Sequence, residues 1–375
     1  MKTVISFISA FLPKEMLHVY RQVSYLEKFN SRVITRKINN LDKFPFENIF
    51  LLKKPATRFF KRYYLRLLKR PVTLSRYEVN QILDYSQSIG GALLHIYQGD
   101  VALRSLDLLR LYNGPKVVSF HGADLSDHLS DDYLKLWRHC DFFLCRCEAF
   151  KDKLIKMGCP AEKIRLNYTG VPLPQRFKVS GHSDRKIFKI LQVCRLVDKK
   201  GLDLSIKALR LARNSGVEAT LSIAGDGPLL KKLKILAQDL KLENNIKFLG
   251  FLDDEGLKRA YLDAHLFCHP SRLTKAGDRE GIPNSIAEAM AYGLPVVSTS
   301  HSGIPEIIQN NHSGILVSNE SPKLIADAIV KLVKQHEFLA LLGSQARKRI
   351  ENKFSIKKCV NDLETIYTEA ISYYR

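Results

Sequence analysis

The 375-residue chain has no apolar run long enough to cross a bilayer. Runs such as "DFFLC" and "LPVV" end after four or five residues, whereas a spanning helix needs about 20. It has no Walker A pattern and no G-x-G-x-x-G; "GGA" at 90–92 and "GDGP" at 225–228 are too short to replace them. A P-loop ATPase or a dinucleotide enzyme is therefore poorly supported. The seven cysteines, at 140, 145, 147, 159, 194, 268 and 359, are odd in number and form no C-x-x-C. That argues against a disulfide framework or a zinc site and for a reducing cytoplasm. Cys145, Cys194 and Cys268 sit in apolar strand-like runs, where a free thiol packs as a small hydrophobe. Internal repeats and low-complexity tracts are also missing. The N-terminal "MKTVISFISAFLPKEM" lacks a small-x-small cleavage site, and "TVISFI" reads as a first buried strand.

Acidic residues are scarce in the first half. The formal charge is +21, and residues 1–180 carry 30 Lys and Arg against 16 Asp and Glu. Between 32 and 76 there are 13 basic residues and only Asp42 and Glu47 as acids. Such a patch seeks polyanions: nucleic acid, an anionic membrane or a phosphorylated substrate. A nucleic-acid-binding protein would fit this charge, but no helix-turn-helix, zinc or RNP pattern accompanies it.

What is present is alternation. In the first half the strand-like runs are "TVISFI", "SRVITR", "NIFLL", "LLHIYQ", "KVVSFH", "DFFLCR" and "IRLNYTG". In the second they are "FKILQVCR", "ATLSIAG", "NIKFLG", "HLFCHPS", "PVVSTS" and "GILV". Helical patterns lie between them, which implies parallel sheets covered on both faces. The segment 170–186, rich in Pro, Gly and polar residues, is the best linker. Two open α/β domains follow, about 1–178 and 179–356, with a last helix near 355–375 that can pack on either. In open parallel sheets ligands bind beyond the carboxyl ends of the strands. Several polar residues lie there: His121, Arg195, Gly225-Asp226-Gly227-Pro228, Glu280 and His301-Ser302-Gly303.

The stretch "REGIPNSIAEAMAYGLPVVST", 279–299, carries Glu280 on a loop and Glu288 on the helix that follows. Pro283 keeps Glu280 to Ile282 out of the helix. Asn284 or Ser285 suits the N-cap, and Gly293 suits the stop. Ser285 with Glu288 also fits a capping box, and Glu280 fits a surface glutamate. In "QVCRLVDKKGLDLSIKAL", Arg195 closes a strand and Lys200-Gly201 turns into a helix. Two cations so placed suit a diphosphate, whose charge the helix start after Pro283 would also favour; surface charge on a basic protein is the plainer alternative.

The order "SFHGADLS", "VCRLVDKKGLDLSIKAL", "IAGDGP", "IKFLGFL", "HPSR", "REGIPNSIAEAMAYGLPVVST", "HSGIPEII" and "SGILV" resembles glycosyltransferase family 4. The "GDREGIPNSIAEAMA" and "HSGIPE" forms are most similar to the enzymes of colanic acid and other exopolysaccharides. The resemblance implies an α/β GT-B fold, with two Rossmann-like doubly wound domains facing across a cleft. The N-terminal domain would take the acceptor and the C-terminal one the nucleotide-sugar. It implies retaining transfer of a hexose from a nucleotide-diphosphate sugar to a glycan or lipid-linked acceptor. A UDP-sugar is favoured and a GDP-sugar is possible. A GT-B sugar-nucleotide epimerase is the alternative.

Placed on these residues, the family's roles are as follows. Glu280 faces the donor sugar and Glu288 the ribose. Arg195 and Lys200 hold the diphosphate with the backbone of Gly281, Ile282, Pro283, Asn284 and Ser285. Gly250 and Phe251 lie near the base, and His121 reaches the donor sugar. Family relatives that need Mn²⁺ are not implied, because no Asp-x-Asp triplet occurs. Asp278-x-Glu280, Asp131-Asp132 and Asp253-Asp254 are weak substitutes, so no metal or other cofactor is expected. The chain departs from the family at "SAFLPKEMLHVYRQV", which puts acceptor identity in doubt. The segment "RFFKRYYLRLLKR", 58–70, has six basic residues, no acid and aromatics at helical spacing. It resembles an interfacial helix, with each cation contributing roughly 1 kcal/mol at an anionic surface; a helix packed on the sheet is the alternative. The expected location is cytoplasmic, on the inner face of the cell membrane.

Overall fold

The computed structural model describes residues 1–13, 17–55, 72–125, 132–177, 187–274, 277, 280–318 and 320–374. The basic segment 58–70, Asp131 and Asp278 lie outside the described residues. The chain divides into two compact units, Met1–Gly170 with Ile356–Arg375, and Val171–Ser355. Among the described residues no helix is long and apolar enough to cross a membrane.

The first unit is built on a seven-stranded sheet of order β3-β2-β1-β4-β5-β6-β7. Its strands are β1 (Lys2–Ile8), β2 (Phe29–Thr35), β3 (Ile49–Leu51), β4 (Gly91–Tyr97), β5 (Lys116–Ser119), β6 (Phe142–Cys145) and β7 (Ile164–Leu166). Every pairing is parallel. The second unit has a six-stranded sheet of order β10-β9-β8-β11-β12-β13. These strands are β8 (Phe188–Val193), β9 (Ala219–Ala224), β10 (Ile246–Gly250), β11 (Leu266–His269), β12 (Val296–Thr299) and β13 (Ile315–Val317), again all parallel. Strands covered on both faces need continuous apolar runs, and β1 is buried at every position after Lys2. All thirteen runs read from the sequence form strands. The ends differ: "IRLNYTG" keeps only three residues in the ladder.

In each sheet the strand order reverses once, between β1 and β4 and between β8 and β11. Such a switch point opens a crevice at the carboxyl ends of the two strands, because the following connections leave to opposite sides.

The helix Ile356–Tyr373 belongs to the first unit. Leu363, Tyr367 and Ala370 pack with Val4 of β1, Leu93 of β4, and Val117 of β5. Its Glu364 is buried, and Oε1 accepts the backbone N–H groups of Glu27, at 2.7 Å, and Lys28, at 2.5 Å. Tyr367 Oη lies 2.6 Å from Nδ1 of His95, whose Nε2 meets the Ser119 hydroxyl at 2.6 Å. Replacing Glu364 by Ala orphans two backbone donors. Urea denaturation should show a loss of about 2 kcal/mol; a loss under roughly 0.5 kcal/mol, the scale of a neutral surface change, would show that water serves those donors equally well.

Candidate active site

The second unit's switch point gathers the groups that carry charge. Beyond β8 the chain passes Arg195, tucks Leu196 fully into the core, and makes one 3-10 turn at Asp198–Lys200. Gly201 then opens the helix Leu202–Asn214 with φ +59°. A Cβ there would lie 1.8 Å from the Pro270 carbonyl oxygen. Only glycine lets the turn press this closely on the segment after β11.

Backbone and side-chain bonds fix the turn. Gln192 Nε2 donates to the Lys200 carbonyl at 2.9 Å, and the Arg272 N–H donates to the Lys199 carbonyl at 2.9 Å. The Arg272 guanidinium also meets Asp203, Asp198 at 3.4 Å and Glu320 at 3.7 Å. The result is a buried ion pair: Lys200 Nζ stands 2.7 Å from Glu280 Oε1, and Lys199 Nζ stands 4.0 Å from the same oxygen. Glu280 is 7% exposed, so it is not a surface glutamate. Beside it, burial and then the Lys200 charge hold His269, the last residue of β11, well below the usual histidine range. It stays neutral and leaves the carboxylate to the lysines. Burial likewise pushes the Cys194 and Cys268 thiols up to about 12, so neither is a nucleophile at neutral pH.

From Glu280 the chain runs through Gly281 and Ile282 into the helix Asn284–Ala291. Here two expectations are corrected. Pro283, with φ −63° and ψ 123°, occupies the N-cap position, and no side chain caps the helix; Asn284 and Ser285 are already inside it. Proline fixes a φ that serves as well one residue before the helix as within its first turn. The capping box between Ser285 and Glu288 is therefore not formed. Glu288 Oε2 instead accepts the Tyr261 hydroxyl at 3.2 Å, and Tyr261 stacks on Tyr292 at 5.0 Å. The Pro283 carbonyl accepts the N–H groups of Ile286, at 3.1 Å, and Ala287, at 3.4 Å.

Arg195 is exposed, two residues past β8. Gly250 ends β10 with φ +65°, and its carbonyl accepts the Gly225 N–H at 2.7 Å. Gly225 in turn lies against the Cys194 carbonyl, where a Cβ would come within 1.9 Å. The "GDGP" segment thus braces the loop that bears Arg195. Phe251 is 63% exposed. Asp253 caps the helix Asp254–Asp263 by accepting the Gly256 N–H at 2.8 Å, which gives that carboxylate a local structural duty.

His121 stands beyond β5 in the first unit. Asp124 shapes its loop: Oδ1 accepts the N–H groups of His121 and Gly122, each at 2.8 Å, and Oδ2 accepts that of Gly99 beyond β4, at 2.8 Å. Burial raises the Asp124 carboxyl above its ordinary value, opposed by those N–H groups. His121 Nδ1 lies 3.2 Å from Nε2 of His18. Arg146, beyond β6, donates to the Thr169 hydroxyl at 3.0 Å. Lys200 and Glu280, both assigned to the donor site from the sequence, lie 2.7 Å apart. Sequence reasoning missed Lys199, Tyr261, Arg272, His18, Asp124 and Arg146. Of these, Lys199, Asp124 and Arg272 lie inside the quoted motifs "VCRLVDKKGLDLSIKAL", "HGADLS" and "HPSR".

Residues 175–349 match the family of group 1 glycosyl transferases. The chain is 35% identical over 269 residues to the amylovoran biosynthesis glycosyltransferase AmsK of Erwinia amylovora, covering 70% of this chain and 66% of that one. It is 33% identical over 269 residues to the putative colanic acid biosynthesis glycosyltransferase WcaL of Escherichia coli, with the same shares. By these matches the chain is similar to glycosyltransferases of exopolysaccharide biosynthesis. It spans 66% of the length of both relatives. A solved structure of Anabaena HepE, in complex with UDP, superimposes with a TM-score of 0.77 at 20% identity, covering 98% of this chain and 100% of that one. The fold is thus that of the GT-B glycosyltransferases.

Proposed function

We propose that the chain is a retaining glycosyltransferase. It moves a hexose from a nucleotide-diphosphate sugar, with UDP favoured, to a glycan or lipid-linked acceptor of exopolysaccharide or lipopolysaccharide synthesis. The observation that carries this reading is the buried Lys200–Glu280 pair, set at a switch point beside a helix start without a side-chain cap. Cations and early helical N–H groups together suit a diphosphate. The exopolysaccharide relatives and the UDP complex of HepE support the same assignment.

In this reading Arg195 and Lys200 take the diphosphate with the backbone of Gly281 to Ser285, and no metal is called for. Glu288, held by Tyr261, accepts the ribose hydroxyls. Gly250 and Phe251 border the base, and Glu280 and His121 attend the sugar. The bond between the anomeric carbon and the phosphate oxygen breaks, and the diphosphate leaves with the electron pair. The acceptor oxygen bonds to the same face of that carbon, and its proton passes to the departing phosphate oxygen. Stabilising that leaving charge is the main catalytic contribution.

Two measurements test the site. Millimolar UDP should raise the thermal midpoint of the wild type, and Glu288→Ala should abolish most of the rise. If UDP, GDP, ADP and CMP all leave the midpoint unchanged, the donor site is wrong. Glu280→Gln should lower turnover by on the order of a hundredfold while donor KM changes little; unchanged turnover removes Glu280 from the chemistry.

We further propose that segment 58–70 holds the protein at an anionic bilayer, on the cytoplasmic side, next to a lipid-linked acceptor. Its six cations and interleaved aromatics support this. Sedimentation with phosphatidylglycerol vesicles should capture the protein, and phosphatidylcholine vesicles should not. Binding that survives Lys61→Glu, Arg62→Glu and Arg66→Glu combined would place the contact elsewhere.

A further inference from the structure

Tyr261 is the buried residue of the helix Asp254–Asp263, 2% exposed. Its ring is gripped on two sides. It stacks on Tyr292, with centroids 5.0 Å apart and planes 15° apart, and leans on Phe267 of β11 at 6.1 Å. A tyrosine ring sunk this deep carries its hydroxyl inward, where the hydroxyl needs an acceptor. Glu288 supplies one: Oε2 accepts it at 3.2 Å.

The grip is reciprocal. Glu288 and Tyr292 stand one turn apart at the end of the helix Asn284–Ala291, and the Tyr292 N–H donates to the Glu288 carbonyl at 3.1 Å. One turn of backbone thus holds the ring of Tyr261 through Tyr292 and its hydroxyl through Glu288. The stacked ring is fixed in place, so its hydroxyl is a rigid peg for a flexible glutamate side chain. Glu288 itself is half-buried, at the boundary of the core.

The kind of donor matters. Glu280 is met by the Lys200 ammonium. Tyr261 meets Glu288 with a hydroxyl, which adds no positive charge. A carboxylate has about four acceptor directions, and the Tyr261 hydroxyl takes one. The adjacent hydroxyls of a ribose are donors of the kind such an acceptor takes, and hydrogen bonds to a carboxylate are the strong ones. Fixing the glutamate beforehand removes an entropic cost from binding.

We propose that Tyr261 is a positioning residue for Glu288: its hydroxyl aims the carboxylate at the two ribose hydroxyls of the donor, and so makes the site select a ribonucleoside diphosphate over one that lacks them. The selection rests on the donor-site reading given above; the Tyr261–Glu288 hydrogen bond does not.

The test is calorimetric titration of the full chain with UDP and with 2′,3′-dideoxy-UDP, or with GDP and its dideoxy form where GDP is the nucleotide that raises the thermal midpoint. The wild type should bind the ribonucleotide at least about tenfold tighter, the scale of hydrogen bonds to a charged group. Tyr261→Phe should narrow that preference about fivefold, the scale of one hydrogen bond, and leave the affinity for the dideoxy nucleotide where it was. In the transfer assay donor KM should rise by the same factor while turnover holds. A role in packing alone would move both nucleotides together. A variant that weakens both alike or keeps the full preference, or a wild type that does not distinguish them, overturns the proposal. Urea denaturation of the free protein isolates the hydrogen bond. Tyr261→Phe should lower the midpoint in the wild type but not in Glu288→Ala, where the hydroxyl has already lost this acceptor. Equal losses in the two backgrounds overturn the coupling on which the selection depends. A wild type that binds no nucleoside diphosphate defeats the donor reading, and the selection with it, whatever the denaturation cycle shows.

Discussion

A carboxyl group taken out of water needs partners for its oxygens, cations or N–H groups. This requirement organises the parts of the chain that matter most. Glu280, Asp124 and Glu364 are 7%, 8% and 2% exposed. Each is answered in its own way, and each answer joins segments far apart in sequence. Asp124 ties the ends of β4 and β5 through three backbone N–H groups. Glu364 ties the last helix to the turn before β2. Glu280 ties the loop after β11 to the turn after β8 through lysine.

The difference between these answers divides scaffold from chemistry. Backbone donors are fixed in place, so Asp124 and Glu364 act as permanent joints. A lysine ammonium sits on a flexible stem and offers three donors, so it can hold Glu280 and still turn toward another anion. Taking away one partner of such a buried pair costs about 3–5 kcal/mol. The pair therefore holds its own loop in place. Arg272 stands behind it, joining Asp198, Asp203 and Glu320 and keeping the lysine-bearing turn against β11.

Much of this was legible because parallel strands announce themselves. Covered on both faces, they need unbroken apolar runs, and all thirteen were visible as such. The two switch points follow once the strands are ordered, and they place Lys200 and Glu280 close together. What was hidden is what depends on a partner distant in the chain. Glu288 fits a capping box by spacing alone, yet its hydrogen bond goes to Tyr261, 27 positions away. His18 sits in a stretch with no motif, and only the folded helix brings it to a residue 103 positions later. The helix start was read one or two positions late, because Asn284 and Ser285 are the residue types that cap helices, yet Pro283 takes the N-cap position.

The first unit is not contiguous. Its core takes Leu363, Tyr367 and Ala370 from a helix made after the whole of the second unit. At about 5–20 residues per second, residues 1–170 wait roughly ten to forty seconds on the ribosome for that helix to emerge. Meanwhile the face of β1, β4 and β5 that Tyr367 will cover stays open, and the buried His95 lacks its hydroxyl partner. The second unit, whose residues are continuous, can close first. The unit whose strands are made first is thus the last to have all of its core residues synthesised.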